Sequence, residues 1–222
     1  YINSSNNNIS GTLIDLNLPN LEYLSLRQNE LVGSIPNFTN LPKLKHLDLG
    51  CNELTGSIPN FTNLPLLEEL GLINNKLTGS IPNFSNLPNV KILELGSNEL
   101  TGSIPTFANF PNLVSLFLYR NQLTGSIPNF TNLPNLTGLG LHKNNLTGII
   151  PNFDNLFNLK YLHLYDNELV GNIPNFDTSD LHTLYLSNNK LTGNIPNFNL
   201  PELEYLDTIQ SKWYRILSMA YD

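Results

Sequence analysis

The sequence predicts an α/β-type repeat solenoid: a curved array with a parallel β-sheet on its concave side, an irregular convex side and a C-terminal capping helix. Fixed spacing is the first reason. Asn29, Asn52, Asn75, Asn98, Asn121, Asn144 and Asn167 stand 23 residues apart, and Asn189 follows after 22. Glycines from Gly33 to Gly193 and prolines from Pro36 to Pro196 keep the same step. Alternation is the second reason. Each unit carries an LxL core in which apolar and variable residues alternate, the period of a strand with one buried face. The third is a change of period at the end, where Ile209, Trp213, Ile216, Leu217 and Ala220 fall at helical spacings.

Aligned on these columns, one unit reads LPxLxxLxLxxNxLTGSIPNFxN. The first unit is worn and the last loses the pattern after Ile209, which leaves about nine to ten units. No linker or low-complexity break interrupts them. Residues 1–222 are therefore expected to form one domain, because each unit buries its apolar edge only against its neighbours. Residues 208–222 are its expected helical cap, since the last coil of a solenoid otherwise exposes core.

The elements of one unit follow in order. Leu21, Leu24, Leu26 and Leu31 point inward, and stacked copies of the strand around Leu24 make the concave sheet. Asn29 follows where the chain turns. Asn carries both a donor and an acceptor, so a column of asparagines can satisfy a column of turning backbone. Gly33 supplies a backbone conformation that other residues avoid. Ile35 and Phe38 face the core from the return stretch, and Pro36 stiffens it. The column from Phe38 to Phe198 reads as a core spine. Regular threonine ladders can match an ice lattice, but the column Thr55, Thr78, Thr101, Thr124, Thr147 and Thr192 is interrupted by Val32 and Val170.

The pattern LxxLxLxxNxLxGxIP resembles the leucine-rich repeat, and within it the plant-type subclass with the LxGxIP ending. The resemblance covers nearly the whole chain in about nine copies. Two departures stand out: the plant repeat is usually one residue longer, and the cysteine-paired caps usual in secreted plant members are absent. The resemblance implies a curved leucine-rich-repeat array, without itself giving a receptor role; an extracellular or cell-surface location is expected.

Composition narrows the function classes. The chain of 222 residues has a formal charge of -7 and no basic block, which argues against nucleic acid, whose affinity rests on Lys and Arg meeting phosphates. No run approaches 18 consecutive apolar residues, so no membrane span is expected. A single cysteine, Cys51, excludes an internal disulfide. Residue 1 is Tyr and no signal-like segment precedes the repeats, so the chain is expected to be a piece of a longer product or a processed form. The hydrolase, phosphate-loop and zinc-protease motifs are absent. His142, His163 and Asp166 fall in neighbouring units, yet nothing in the sequence gives them metal-ligand geometry. No enzyme and no cofactor is expected.

Function is expected where the units differ. The early concave positions carry Asp48, Glu69 and Glu94 among glycines. The later ones gather Phe117, Tyr119, Arg120, His142, Lys143, Tyr161, His163, Tyr165 and Tyr185. Aromatic rings with Arg are the residue types enriched at interface hot spots, and rings also stack on sugar faces. The expected function is therefore non-enzymatic recognition of a protein, peptide or carbohydrate ligand on the concave face. A structural spacer or adhesin stalk, with that face idle, is the alternative. Exposed strand positions favour Tyr and Phe on propensity alone, so the ring cluster does not decide between them. Asn37, Asn60, Asn83 and Asn129 each begin an N-glycosylation sequon, as do Asn3, Asn8, Asn135 and Asn145.

Overall fold

The computed structural model describes residues 1–208 and the backbone of 214–215. Ten short strands stack in parallel along one side, from Ile2–Asn3 through Tyr23–Ser25 to Tyr205–Asp207. Their register joins the central leucine of each unit to the next: Leu24 to Leu47, Leu47 to Leu70, and Leu93 to Leu116. These leucines are buried, as are Leu21 and Leu31, while Leu26 is partly buried against the same core. The alternation of LxL thus sends one set inward and leaves the flanking positions on the concave surface.

A second parallel sheet is the element that the sequence reading leaves out. The ELTGS stretches, read there as turn and return, form seven strands that include Glu30–Ser34, Glu53–Ser57 and Gln122–Ser126. Their leucines, such as Leu54 and Leu77, are buried, and their Thr and Ser point to solvent. The strands stagger, so that Ser57 lies opposite Thr78 and Thr55 opposite Lys76. Gly56 adopts φ +76°, a left-handed conformation that glycine takes without a steric penalty. Where Ile149 replaces serine, the pairing thins to a single bridge with Val170.

The asparagine column does what its donor and acceptor allow. Asn52 Oδ1 accepts from Leu31 N at 3.0 Å, and its Nδ2 donates to Leu26 O and Leu49 O, both at 3.0 Å. Each asparagine therefore ties its own turn to the preceding one. The phenylalanine spine is also internal, with successive rings 6.3–6.5 Å apart over most of its length. Phe110 takes a leucine position and inserts between Phe84 and Phe107, at 5.8 and 5.7 Å. Six of these phenylalanines, Phe38 to Phe153, sit at φ +44° to +55°. Left-handed backbone is costly for a bulky residue, on the order of 1–3 kcal/mol. Burial of a whole ring, roughly 1.5–3 kcal/mol, is the term that offsets it.

The helical cap expected over 208–222 lies almost wholly outside the described residues. Within that span Tyr214–Arg215 is a strand and not a helix, pairing antiparallel with Tyr205–Asp207.

Candidate ligand-binding face

The concave register places a row of variable residues side by side: Asp48, Gly71, Glu94, Phe117, Gly140 and His163. Neighbouring strands lie about 4.8 Å apart, close to the stacking distance of aromatic rings. Rings in the same column of adjacent units therefore stack. Tyr119 stacks on His142 with centroids 4.6 Å apart, and His142 on Tyr165 at 4.4 Å. A parallel stack joins His163 to Tyr185 at 4.5 Å. Edge contacts tie the two stacks together: His142 to His163 at 6.0 Å and Tyr165 to Tyr185 at 6.4 Å. Phe117 meets Tyr119 edge-on at 6.5 Å.

Glycines let these rings lie flat. A Cβ at Gly96 would come within 3.0 Å of the Tyr119 ring, and one at Gly140 within 2.9 Å of Phe117 Cδ1. The small residues between the aromatic units are thus the floor on which the rings rest.

Six of the nine residues expected from the sequence form this one patch: Phe117, Tyr119, His142, His163, Tyr165 and Tyr185. Lys143 edges it, with Nζ 6.0 Å from the Tyr165 centroid. Arg120 is exposed beside it on a left-handed backbone, φ +52°. Tyr161 stands apart from the stacks at the first position of its strand, 45% exposed and 6.1 Å from His182. A second stack, Tyr1 on Tyr23 on His46 at 4.4 and 4.2 Å, was not singled out from the sequence. Tyr23 and His46 share one column of adjacent units, and that spacing was the available signal.

The patch is uncharged near neutral pH. Burial, followed by the charges of His163, Lys143 and Arg120, lowers the His142 pKa to about 4. Burial lowers that of His163. Burial likewise raises the phenols of Tyr119, Tyr165 and Tyr185. Among the described residues, no group of three His, Cys, Asp or Glu is arranged to hold a metal ion. His163 Nε2 lies 3.0 Å from Thr183 Oγ1 instead.

The acidic half of the face is organised differently. Arg27 Nη1 lies 3.5 Å from Asp48 Oδ1, and His46 Nδ1 lies 2.6 Å from Glu69 Oε2. Asp48 Oδ1 also accepts from Gly50 N at 2.9 Å. The sequon residues Asn37, Asn60, Asn83 and Asn129 are exposed, one per unit, on the return stretch after the second sheet.

Family models place the same repeats. A model of two leucine-rich-repeat copies matches residues 19–63, and the single-repeat model matches 112–133, 158–177 and 180–199. No curated protein matches the chain. Among solved structures, the plant peptide hormone receptor RGFR1 in complex with RGF2 is 38% identical with a TM-score of 0.85, over 89% of this chain and 34% of its own. The Arabidopsis receptor kinase HAESA ectodomain, in complex with an extended IDA peptide hormone, is 36% identical with a TM-score of 0.79, over 84% of this chain and 33% of its own. A plant ice-binding protein is 32% identical with a TM-score of 0.72, over 86% of this chain and 64% of its own. The chain thus spans about a third of the length of the receptor ectodomains it resembles. Its repeat pattern, its stacked coils and these likenesses agree: the chain belongs to the leucine-rich-repeat proteins, in their plant-type subclass.

Proposed function

We propose that this chain is a non-enzymatic recognition module, outside the cell or at its surface, that binds an extended polypeptide along its concave face. The contiguous, uncharged ring patch from Phe117 to Tyr185 carries this reading. It offers flat apolar area at little conformational cost, since ring side chains have only two rotatable bonds. The receptors RGFR1 and HAESA, solved with peptide hormones, add support from the same architecture. The name of the ice-binding neighbour directs attention to the second sheet. The stagger there sets each Thr between a Ser and a different polar or charged residue, so no row of one residue type crosses that sheet. That register disfavours a lattice-matching surface.

The reading is tested by selecting a random-peptide display library on the chain and mapping a selected peptide by NMR. Shifts are expected at Phe117, Tyr119, His142, His163, Tyr165 and Tyr185, with Thr78 and Thr101 of the second sheet unmoved. Selection of no peptide would favour the spacer reading. The same footprint obtained with an oligosaccharide would change the ligand class.

We further propose that Asn37, Asn60, Asn83 and Asn129 accept N-linked glycans when the chain passes through a eukaryotic secretory pathway. Asn135 is excluded from that set because its own side-chain amide, the group that would carry the glycan, donates to Pro111 O at 3.1 Å. Glycopeptide mass spectrometry after such expression should find the first four occupied and Asn135 bare. Occupied Asn135 beside bare Asn60 would reverse the assignment.

A further inference from the structure

The acidic half of the concave face holds three carboxylates, and two are already matched. Asp48 faces Arg27 at 3.5 Å, and Glu69 faces His46 at 2.6 Å. Glu94 is the third. It is half-buried and, among the described residues, makes no hydrogen bond or ion pair with any side chain. Its neighbours in register are Gly71 on one side and Phe117 on the other. Phe117 leans away from it, over Gly138 and Gly140, at 3.4 and 2.9 Å from where their Cβ atoms would be. Tyr119 leans the opposite way, over Gly96, which is two residues beyond Glu94 on the same strand face. The phenol feels the Glu94 charge, which adds to burial in raising its pKa. Glu94 therefore stands open to the face, bordered by a tyrosine ring, at the seam between the acidic half and the ring patch.

We infer that Glu94 and the Tyr119 ring form a subsite for a basic side chain, Lys or Arg, of the polypeptide ligand. An ammonium or guanidinium there meets a carboxylate that makes no hydrogen bond or ion pair with a side chain of the chain, and its aliphatic stem can lie along the Tyr119 ring. Two physical reasons favour a ligand cation over one from the chain. Arg27 acts on Glu94 through its charge alone, because its guanidinium is paired with Asp48 at 3.5 Å. The side chain at position 71, which could otherwise have reached across, is a glycine whose space Asp48 Oδ1 fills, 2.9 Å from the built Cβ. The inference rests on the concave face being a polypeptide site. It adds a direction: the ligand's basic residue lies over the fourth full unit and its apolar or ring residues run from there toward Tyr185.

The probes are the peptides selected from the display library. A basic residue is expected at one fixed distance from an apolar or aromatic pair. Glu94→Gln should weaken those peptides about tenfold, the value of a charge-assisted hydrogen bond. The same peptides with the basic residue replaced by norleucine should lose a similar factor and lose nothing more on Glu94→Gln. Glu94→Lys should restore binding to a peptide carrying Glu at that position. Peptides that bind through the ring patch without a basic residue, or that ignore Glu94→Gln, would overturn this subsite and leave the binding face standing. A library that yields no peptide overturns both. The melting temperature of Glu94→Gln should be no lower than the parent's, since burial disfavours the carboxylate it removes, and this separates loss of binding from loss of fold.

Discussion

Replacing Asn121 by alanine should lower stability by about 2–4 kcal/mol, one of the largest effects of any single polar substitution in the chain. Asn121 Oδ1 accepts from Leu100 N at 3.0 Å, and its Nδ2 donates to Leu95 O and Leu118 O at 3.0 Å. The carbonyls are partly insured, because Asn98 also donates to Leu95 O and Asn144 to Leu118 O. The Leu100 N–H has no such reserve and is left buried without an acceptor. Asn121→Asp should cost more, since it removes both donors and sets a charge against carbonyl oxygens. Position matters as well. Asn121 lies mid-array and couples the units on both sides, whereas Asn189→Ala should fray only the last coils. Thermal unfolding measures this: a loss on the order of 5–10 °C is expected for Asn121→Ala. A shift below one degree would mean that the ladder does not carry stability.

The second large effect is on binding. Tyr119→Ala combined with Tyr165→Ala removes both faces of the His142 sandwich, centred 4.6 and 4.4 Å from it. Binding of selected peptides should fall at least about a hundredfold, since hot-spot tyrosines cost 2 kcal/mol or more each when truncated. The same variant has a readout that needs no ligand. Folding lowers the His142 pKa from an ordinary value of 6.5 to about 4, mainly by burial. Between those values the unfolded chain binds more protons than the folded one. Stability from this group is thus complete above pH 6.5 and falls as the pH drops toward 4. The slope stays below about 1.4 kcal/mol per pH unit, because the ring is only half-buried and solvent screens it. His163, also lowered by burial, acts in the same direction. Glu94, raised by burial, acts oppositely just above 4.5, so parent and variant must be compared across the whole range. Opening the sandwich should return His142 toward 6.5 by NMR titration and flatten the acid limb of stability. An unchanged titration would show that the stack does not set the histidine's environment.

The two asparagine and ring results draw on different levels of information. The asparagine column is legible in the chain because a repeat spacing and a donor–acceptor side chain leave few other roles. The ring patch was legible only as a zone. Column membership picked out Tyr119, His142 and Tyr165, since stacked units bring like columns together. Tyr161 belongs to the same zone by sequence but sits in another column, at the edge of the strand. The sequence offers no sign of which way Phe117 and Tyr119 lean, because that depends on the space left by glycines in the units on either side.

Repetition and alternation alone determined the solenoid, the concave sheet, the Asn ladder and the phenylalanine spine. Each of these repeats locally, and one unit's pattern is enough to dictate it. The second sheet, its two-residue stagger and the left-handed backbone were decided by how coils stack. One trace of the last is visible in retrospect. The column Gln28, Cys51, Asn74, Ser97, Arg120, Lys143, Asp166 and Asn188 contains no β-branched residue, and every member has positive φ. The unmatched state of Glu94 was also decided only in three dimensions. Three acids look alike along the chain, and only the packing of Arg27 and His46 shows which one is left without an ion pair.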